Sequence, residues 1–201
     1  MIAAATSTHL FWLTSRAAGT TALVLSSLAL SMGLAMALGK RRSGLLGRLS
    51  AIERRSLHEA LALATMVAIA VHGLSLIGDS YLHPSIIDVT VPFASSYKTL
   101  PTSLGILAGW GLILLGLSYY LRGRIGIRRW RLIHRMTALA WALGVVHTFT
   151  EGSDATQPWF LALVLLPLAV GAALLCARVL GPQDPAGRST GVQRRAEPSA
   201  T

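Results

Sequence analysis

The sequence predicts an all-α integral membrane protein built as a bundle of five transmembrane helices. The first observation is composition, since 53% of the 201 residues are hydrophobic and only 13% are charged, whereas about a quarter of a soluble domain is charged. The second is arrangement, because the apolar residues gather into five long runs separated by short polar segments. None of these runs alternates polar with apolar residues as a membrane-spanning β-strand does. A water-soluble protein with a single core is therefore excluded.

Each run is long enough to form a helix that crosses a hydrocarbon core of about 30 Å, which takes roughly 20 residues. The runs cover residues 17–38, 57–78, 104–121, 132–150 and 158–177. The first is retained rather than cleaved as a signal peptide, because its basic cluster follows the apolar stretch instead of preceding it. We expect an external N-terminal segment over residues 1–16, a membrane domain over residues 17–177 and a disordered polar tail over residues 178–201.

Basic residues predict the orientation of the bundle. Fifteen of the 18 Lys and Arg residues fall in segments 39–56, 122–131 and 178–201, whereas Arg16 and Lys98 lie on the opposite side. Because positively charged loops stay in the cytoplasm, the N-terminus is expected outside and the tail inside. The formal charge of +10 is thereby explained by membrane topology, and no nucleic-acid partner is expected.

Four of the six histidines lie inside predicted membrane helices, where ionisable side chains are costly and indicate function. His58 and His72 lie in the second helix, and His134 and His147 lie in the fourth. Both helices enter from the cytoplasmic side, so His58 and His134 share an inner depth while His72 and His147 share an outer depth. Neutral imidazole is a good axial ligand of haem iron, and two facing imidazoles leave no open position, which suits electron transfer. The lone Cys176 offers neither a disulfide nor a cysteine-based metal site.

Helix geometry favours one of the two spacings over the other. The residues from His58 to His72 turn by about 1400°, close to four full turns, so both side chains share a face. The residues from His134 to His147 turn by about 1300°, which leaves their imidazoles roughly 140° apart on an ideal helix. We expect a tightened 3₁₀ turn near either histidine, or a distortion near Gly144, to recover part of this angle.

With these histidines the chain resembles the ferric reductase-like transmembrane domain family. That family includes the membrane parts of NADPH oxidases and yeast-type ferric reductases, and the haem subunit of periplasmic methionine sulfoxide reductase systems. The resemblance rests on the two histidine spacings and is supported by the opening of the first helix, FWLTSRAAG, which contains Arg16. It covers roughly residues 11–150.

The resemblance implies a transmembrane cytochrome of a bacterial plasma membrane with two stacked b-type haems. His58 with His134 would hold the inner haem, and His72 with His147 would hold the outer one. Electrons would pass from a cytoplasmic flavin reductase or from quinol to an extracytoplasmic acceptor, namely ferric iron, oxygen or a partner reductase. FAD or FMN would be supplied only by a partner, so the chain is expected to be an oxidoreductase component that needs a separate donor.

Several alternatives stay open at this point. Arg16 either neutralises haem propionates or extends to the lipid headgroups. Trp141, between the two histidines of the fourth helix, either fills space between haems or packs within the protein. The chain as a whole is alternatively a quinol-linked cytochrome b subunit. A further alternative is a haem-free membrane anchor or small transporter, in which the histidines form hydrogen bonds between helices. Neither His83 in the outer loop nor the C-terminal tail is assigned a role.

Overall fold

The computed structural model describes residues 2–38, 48–79 and 83–181, with side chains from Leu10 onwards. Every regular element in this part of the chain is helical, which confirms the predicted all-α class. The α-helices are α1 (Ile2–Leu38), α2 (Ala51–Ile77), α3 (Ile86–Thr90), α4 (Thr99–Leu117), α5 (Arg122–Ile125), α6 (Ile127–His134), α7 (Thr137–Glu151) and α8 (Pro158–Leu180). A 3₁₀ turn over Ser118–Leu121 joins α4 to α5.

Four helical stretches are long and apolar enough to cross a membrane. They are Leu10–Leu38, Ala51–Ile77, Thr99–Ile125 and Pro158–Leu180, and they correspond to the first, second, third and fifth predicted runs. The first helix already begins at Ile2, so most of the predicted N-terminal segment continues α1. The last helix extends to Leu180, past the predicted boundary at residue 177. The rest of the predicted tail and the basic cluster at residues 40–42 lie outside the described residues.

The fourth predicted run is divided at Arg135 and Met136 into α6 and α7. Helix α7 contains 15 residues, which extend about 22 Å along the helix axis, whereas the hydrocarbon core measures about 30 Å. Helix α7 is therefore too short by itself to be one of the four candidate spans among the described residues.

Helix α1 lies at the centre of the bundle. It packs against α2, α7 and α8, while α4 packs against α7 and α2. The buried core contains Leu23 from α1, Trp141 from α7 and one face of α8, made of Phe160, Val164 and Leu168 at four-residue intervals. Helices α1 and α4 thus bridge α2 and α7, each of which carries candidate ligands.

Local sequence signals mark the starts of two of the membrane helices. Ser50 caps α2, since its Oγ accepts the Glu53 backbone N–H at 3.2 Å while the Glu53 carboxylate accepts the Ser50 N–H at 2.6 Å. Pro158 occupies the first turn of α8, where the missing N–H costs nothing. Pro167 lies inside the same helix, which membrane helices tolerate.

Candidate functional site

The four histidines form two facing pairs at the two predicted depths. The rings of His58 and His134 have centroids 6.3 Å apart and planes at 87°. The rings of His72 and His147 have centroids 6.4 Å apart and planes at 71°. Each pair joins α2 to the α6–α7 unit across the interior of the bundle. The predicted pairing by depth therefore agrees with the geometry.

Every one of these rings uses Nδ1 in a hydrogen bond to a backbone carbonyl of a neighbouring helix. The acceptors are Ala29 for His58 at 3.0 Å, Ser15 for His72 at 2.8 Å, Leu115 for His134 at 3.4 Å and Pro101 for His147 at 2.9 Å. A carbonyl oxygen can only accept, so Nδ1 carries the proton in each neutral imidazole. The lone pair is consequently left on Nε2, and the ring orientation is fixed by the protein.

A 3₁₀ turn next to His134 reduces the angular mismatch in the fourth run, as predicted. The Met136 N–H donates to the Ile133 carbonyl at 2.9 Å, and the Ala138 N–H donates to the Arg135 carbonyl at 3.2 Å. Each 3₁₀ step turns the chain by about 120° instead of about 100°. Two or three such steps add roughly 40–60°, which brings both imidazoles of this unit towards α2.

Three of the rings lie against glycines, and the sequence analysis predicted no contact between these glycines and the histidines. A Cβ added at Gly19 would lie 3.0 Å from Nδ1 of His72, and one at Gly33 would lie 3.2 Å from Cε1 of His58. A Cβ at Gly105 would lie 2.6 Å from Nδ1 of His147. Any larger residue at these positions would therefore crowd a candidate ligand. The available signal was that Gly19 and Gly33 have the same separation as the two histidines of α2.

Each of these glycines follows a carbonyl acceptor by four residues. Ser15 precedes Gly19, Ala29 precedes Gly33 and Pro101 precedes Gly105 by one helical turn. A helical side chain covers the turn that precedes its own Cα, so glycine exposes the carbonyl beneath it to the imidazole.

The fourth acceptor, Leu115, precedes Tyr119 by the same interval. Its hydrogen bond to His134 is the longest of the four, at 3.4 Å. Close ring-to-carbonyl contact at the other three sites thus depends on glycine.

An aromatic group supports His134 instead. The Trp130 ring stacks on the imidazole with centroids 4.9 Å apart and planes at 22°. The indole donates to Ser118 Oγ at 3.2 Å, and the edge of Tyr119 contacts Trp130 at 6.0 Å between centroids. The Arg122 guanidinium lies 3.8 Å above the Tyr119 ring. The sequence pattern did not predict this contact.

A small, largely apolar cleft of about 60 Å³ opens beside the inner pair, which is below the usual range of about 300–1,000 Å³ for ligand sites. Its lining includes His58, His134, Ala62, Leu112 and Trp141. Trp141 is only 7% exposed, and its indole donates to Ser27 Oγ at 2.9 Å. Trp141 therefore packs within the protein core and also borders the cleft.

Arg16 has a partner that the sequence did not reveal. Its guanidinium forms a two-pronged ion pair with the Asp154 carboxylate in the loop after α7, and it lies 4.1 Å from the centroid of the Trp12 ring. Asp154 is 8% exposed. The pair connects the first membrane helix to the loop before α8. The predicted role of Arg16 towards haem propionates stays a prediction.

The fold and the paired imidazoles define a class: a helical integral membrane protein with two matched histidine pairs inside its bundle. The chain belongs to the family of ferric reductase like transmembrane components, which it matches over residues 18–145, well over half of its length. This family membership marks it as a membrane electron-transfer component in the lipid bilayer. The match includes His58, His72 and His134 and ends two residues before His147. No curated protein matches the chain.

Proposed function

We propose that this protein is a di-haem b-type cytochrome that carries electrons across the membrane from a cytoplasmic donor to an extracytoplasmic acceptor. His58 and His134 hold the inner haem, and His72 and His147 hold the outer one. The main support is that all four imidazoles face each other in pairs while each Nδ1 is bonded to a backbone carbonyl. This arrangement leaves two Nε2 atoms available at each depth.

The separation within each pair fits one metal ion between two imidazoles. A bond of about 2.0–2.1 Å from metal to imidazole nitrogen, added to about 1.1 Å from that nitrogen to the ring centre, predicts roughly 6.2–6.4 Å between centroids. The separations in the protein are 6.3 and 6.4 Å. A haem held by His58 with His134, or by His72 with His147, would supply one-electron transfer rather than oxygen binding.

The remaining residues position the ligands and exclude water. The three glycines let the imidazoles approach α1 and α4 closely, and the carbonyl bonds fix the tautomer and the orientation of each ring. Apolar side chains line the inner cleft, which keeps the local dielectric low and restricts side reactions. No residue of the described chain needs to exchange a proton for the electron to pass.

The same proposal includes α6 and α7 as a fifth membrane crossing. His134 and His147 face histidines of α2 that lie about 21 Å apart along that helix, and α2 is itself a candidate span. The α6–α7 unit must therefore run beside α2 for most of the membrane thickness. With five crossings and the distribution of basic residues, the N-terminus lies outside and the C-terminus in the cytoplasm.

A reduced-minus-oxidised visible spectrum of the purified protein tests the proposal. We expect b-type haem bands in the wild-type protein. His72→Ala and His147→Ala should each lose about half of the haem, namely the outer one, whereas His58→Ala should lose the inner one. The matched control is His83→Ala, since His83 is exposed in the outer loop and should leave the spectrum unchanged. Absence of haem from the wild-type protein would favour the membrane anchor or transporter alternative. Inhibition of haem reduction by a quinone analogue would identify quinol as the donor.

A further inference from the structure

The connection between α2 and α4 presents large apolar side chains on its surface. Residues 85–93, here called the outer segment, include the short helix α3. The exposed fractions are 65% for Ile86, 61% for Ile87, 47% for Val91 and 63% for Phe93. Four large, exposed apolar side chains within nine residues are uncommon on a loop in water and indicate a contact with lipid or protein.

Two hydrogen bonds attach the outer segment to one side of α4. The Phe93 N–H donates to Ser103 Oγ at 2.7 Å, and the Trp110 indole donates to the Thr90 carbonyl at 2.8 Å. Ser103 and Trp110 are seven residues apart, so they share a face of the helix about 10.5 Å apart along its axis. The outer segment therefore runs down the side of α4 rather than standing above its end.

The depth of this contact follows from the length of the third span. Thr99–Ile125 contains 27 residues, or about 40 Å of helix, so a span that is centred across a hydrocarbon core of about 30 Å and upright in it projects by roughly 5 Å at each end. Trp110 begins about 16 Å below Thr99, and its side chain leans back by about 6 Å towards the helix start. The Thr90 carbonyl thus lies roughly 5 Å inside the hydrocarbon boundary, within the depth of about 5–10 Å that is typical of interfacial helices.

Backbone polar groups at such a depth need partners, and the outer segment has them at its start. The Ser85 N–H donates to the Asp88 carboxylate at 2.8 Å, and the Asp88 N–H donates to Ser85 Oγ at 3.2 Å. Helix α3 also packs against α2. Left-handed backbone angles, with φ of 44° at His83 and 66° at Phe93, lie just before the segment and at its last residue. The segment is therefore held beside both α2 and α4.

From these contacts we infer that the outer segment is embedded in the membrane leaflet at the Thr99 end of the third span. Its exposed Ile and Phe side chains contact lipid acyl chains, and its backbone covers the side of α4 opposite to Pro101 and Gly105, which contact His147. The partner of this surface is therefore the bilayer rather than a soluble redox protein.

Spin labels measure this depth directly in the full chain. The lone native cysteine is first replaced by Cys176→Ser, and single cysteines are introduced as Ile87→Cys, Phe93→Cys and, in the exposed loop after α7, Ser153→Cys as the control. In phospholipid vesicles without any partner protein, labels at 87 and 93 should have an oxygen-to-nickel-chelate collision ratio several-fold above that of the label at 153. Equal ratios at all three sites would overturn the inference and leave the surface to a protein partner.

A second variant tests the attachment itself. Trp110→Phe keeps an aromatic ring but removes the indole donor to Thr90. The collision ratio of the label at 87 should fall towards that of the control, whereas the label at 153 should not change. A label at 87 that stays deeply embedded in Trp110→Phe is not expected, and it would show that the indole bond does not set the depth.

Discussion

Each candidate ligand depends on a backbone group as much as on its own side chain. In three cases the histidine reaches a carbonyl because the residue one turn later is glycine. In the fourth, His134 makes a longer hydrogen bond and is supported by stacking on Trp130. The inner pair is thus held by one glycine contact and one aromatic contact, while both members of the outer pair lie against glycine. This difference predicts that the two sites respond unequally to small substitutions.

The glycine dependence is testable at Gly105, where an added Cβ would lie 2.6 Å from the His147 ring. Because the ring is also fixed by its bond to Pro101, Gly105→Ala should displace it at a cost of about 1–3 kcal/mol, the usual range for overpacking. We expect loss of the outer haem with retention of the inner one, measured by redox titration of the absorbance spectrum.

The matched control is Gly73→Ala, because a Cβ at Gly73 meets no atom within 4 Å in the described part of the chain. Removing a glycine from a helix without a clash should stabilise it by about 0.5–1 kcal/mol. If both alanine variants retain the outer haem equally, close approach at Gly105 is not required for ligand positioning.

At the scale of elements, the α6–α7 unit decides how many times the chain crosses the membrane. Reporter fusions after residues 45, 96, 126 and 154 should alternate between cytoplasmic and external signals, since α6 and α7 carry candidate ligands of both histidine pairs. The fusions at 126 and 154 are the informative pair. If both report the same side, α7 does not span, and the assignment of an inner and an outer site must be abandoned.

Much of the helical architecture was predictable because it depends on patterns within single segments. Four apolar runs became candidate spans, and the histidine spacing predicted the pairing across helices.

Hydropathy could not predict the break between α6 and α7 at Arg135 and Met136, because a 3₁₀ turn and an α-helical turn bury similar side chains. The Arg16–Asp154 pair joins residues far apart in the chain, and contacts of this kind have no periodic signal. The Trp130 stack is different, because Trp130 and His134 are four residues apart in α6 and this spacing makes them neighbours on a helix, so their sequence spacing could have predicted the contact.

At the scale of the whole molecule, the bundle places its two histidine pairs between a basic and a less charged side. Helices α1 and α4 bridge the ligand-bearing helices, so the two pairs are held roughly 20 Å apart along the bundle. Most Lys and Arg residues fall in the sequence segments 39–56, 122–131 and 178–201, which the charge distribution predicts on the side of the inner pair. Arg128 and Arg129 lie on α6, adjacent to Trp130, which itself contacts the candidate inner ligand His134. The basic surface is therefore next to the inner site.

This juxtaposition predicts electrostatic steering of the cytoplasmic donor. Arg128 and Arg129 are exposed, so they attract an acidic donor surface without being needed to hold the haem, and the attraction is screened beyond about 10 Å at 0.1 M salt. Under anaerobic conditions, the second-order rate of haem reduction by a flavin reductase should fall several-fold in Arg128→Gln/Arg129→Gln, and the remaining rate should depend less on ionic strength. Arg178→Gln, an exposed change at the end of α8, removes one positive charge and is the control for the single variants Arg128→Gln and Arg129→Gln, which each remove one as well. Equal losses in the control and in the single variants would mean that the donor responds to overall charge, whereas a loss confined to α6 would locate the docking surface next to His134.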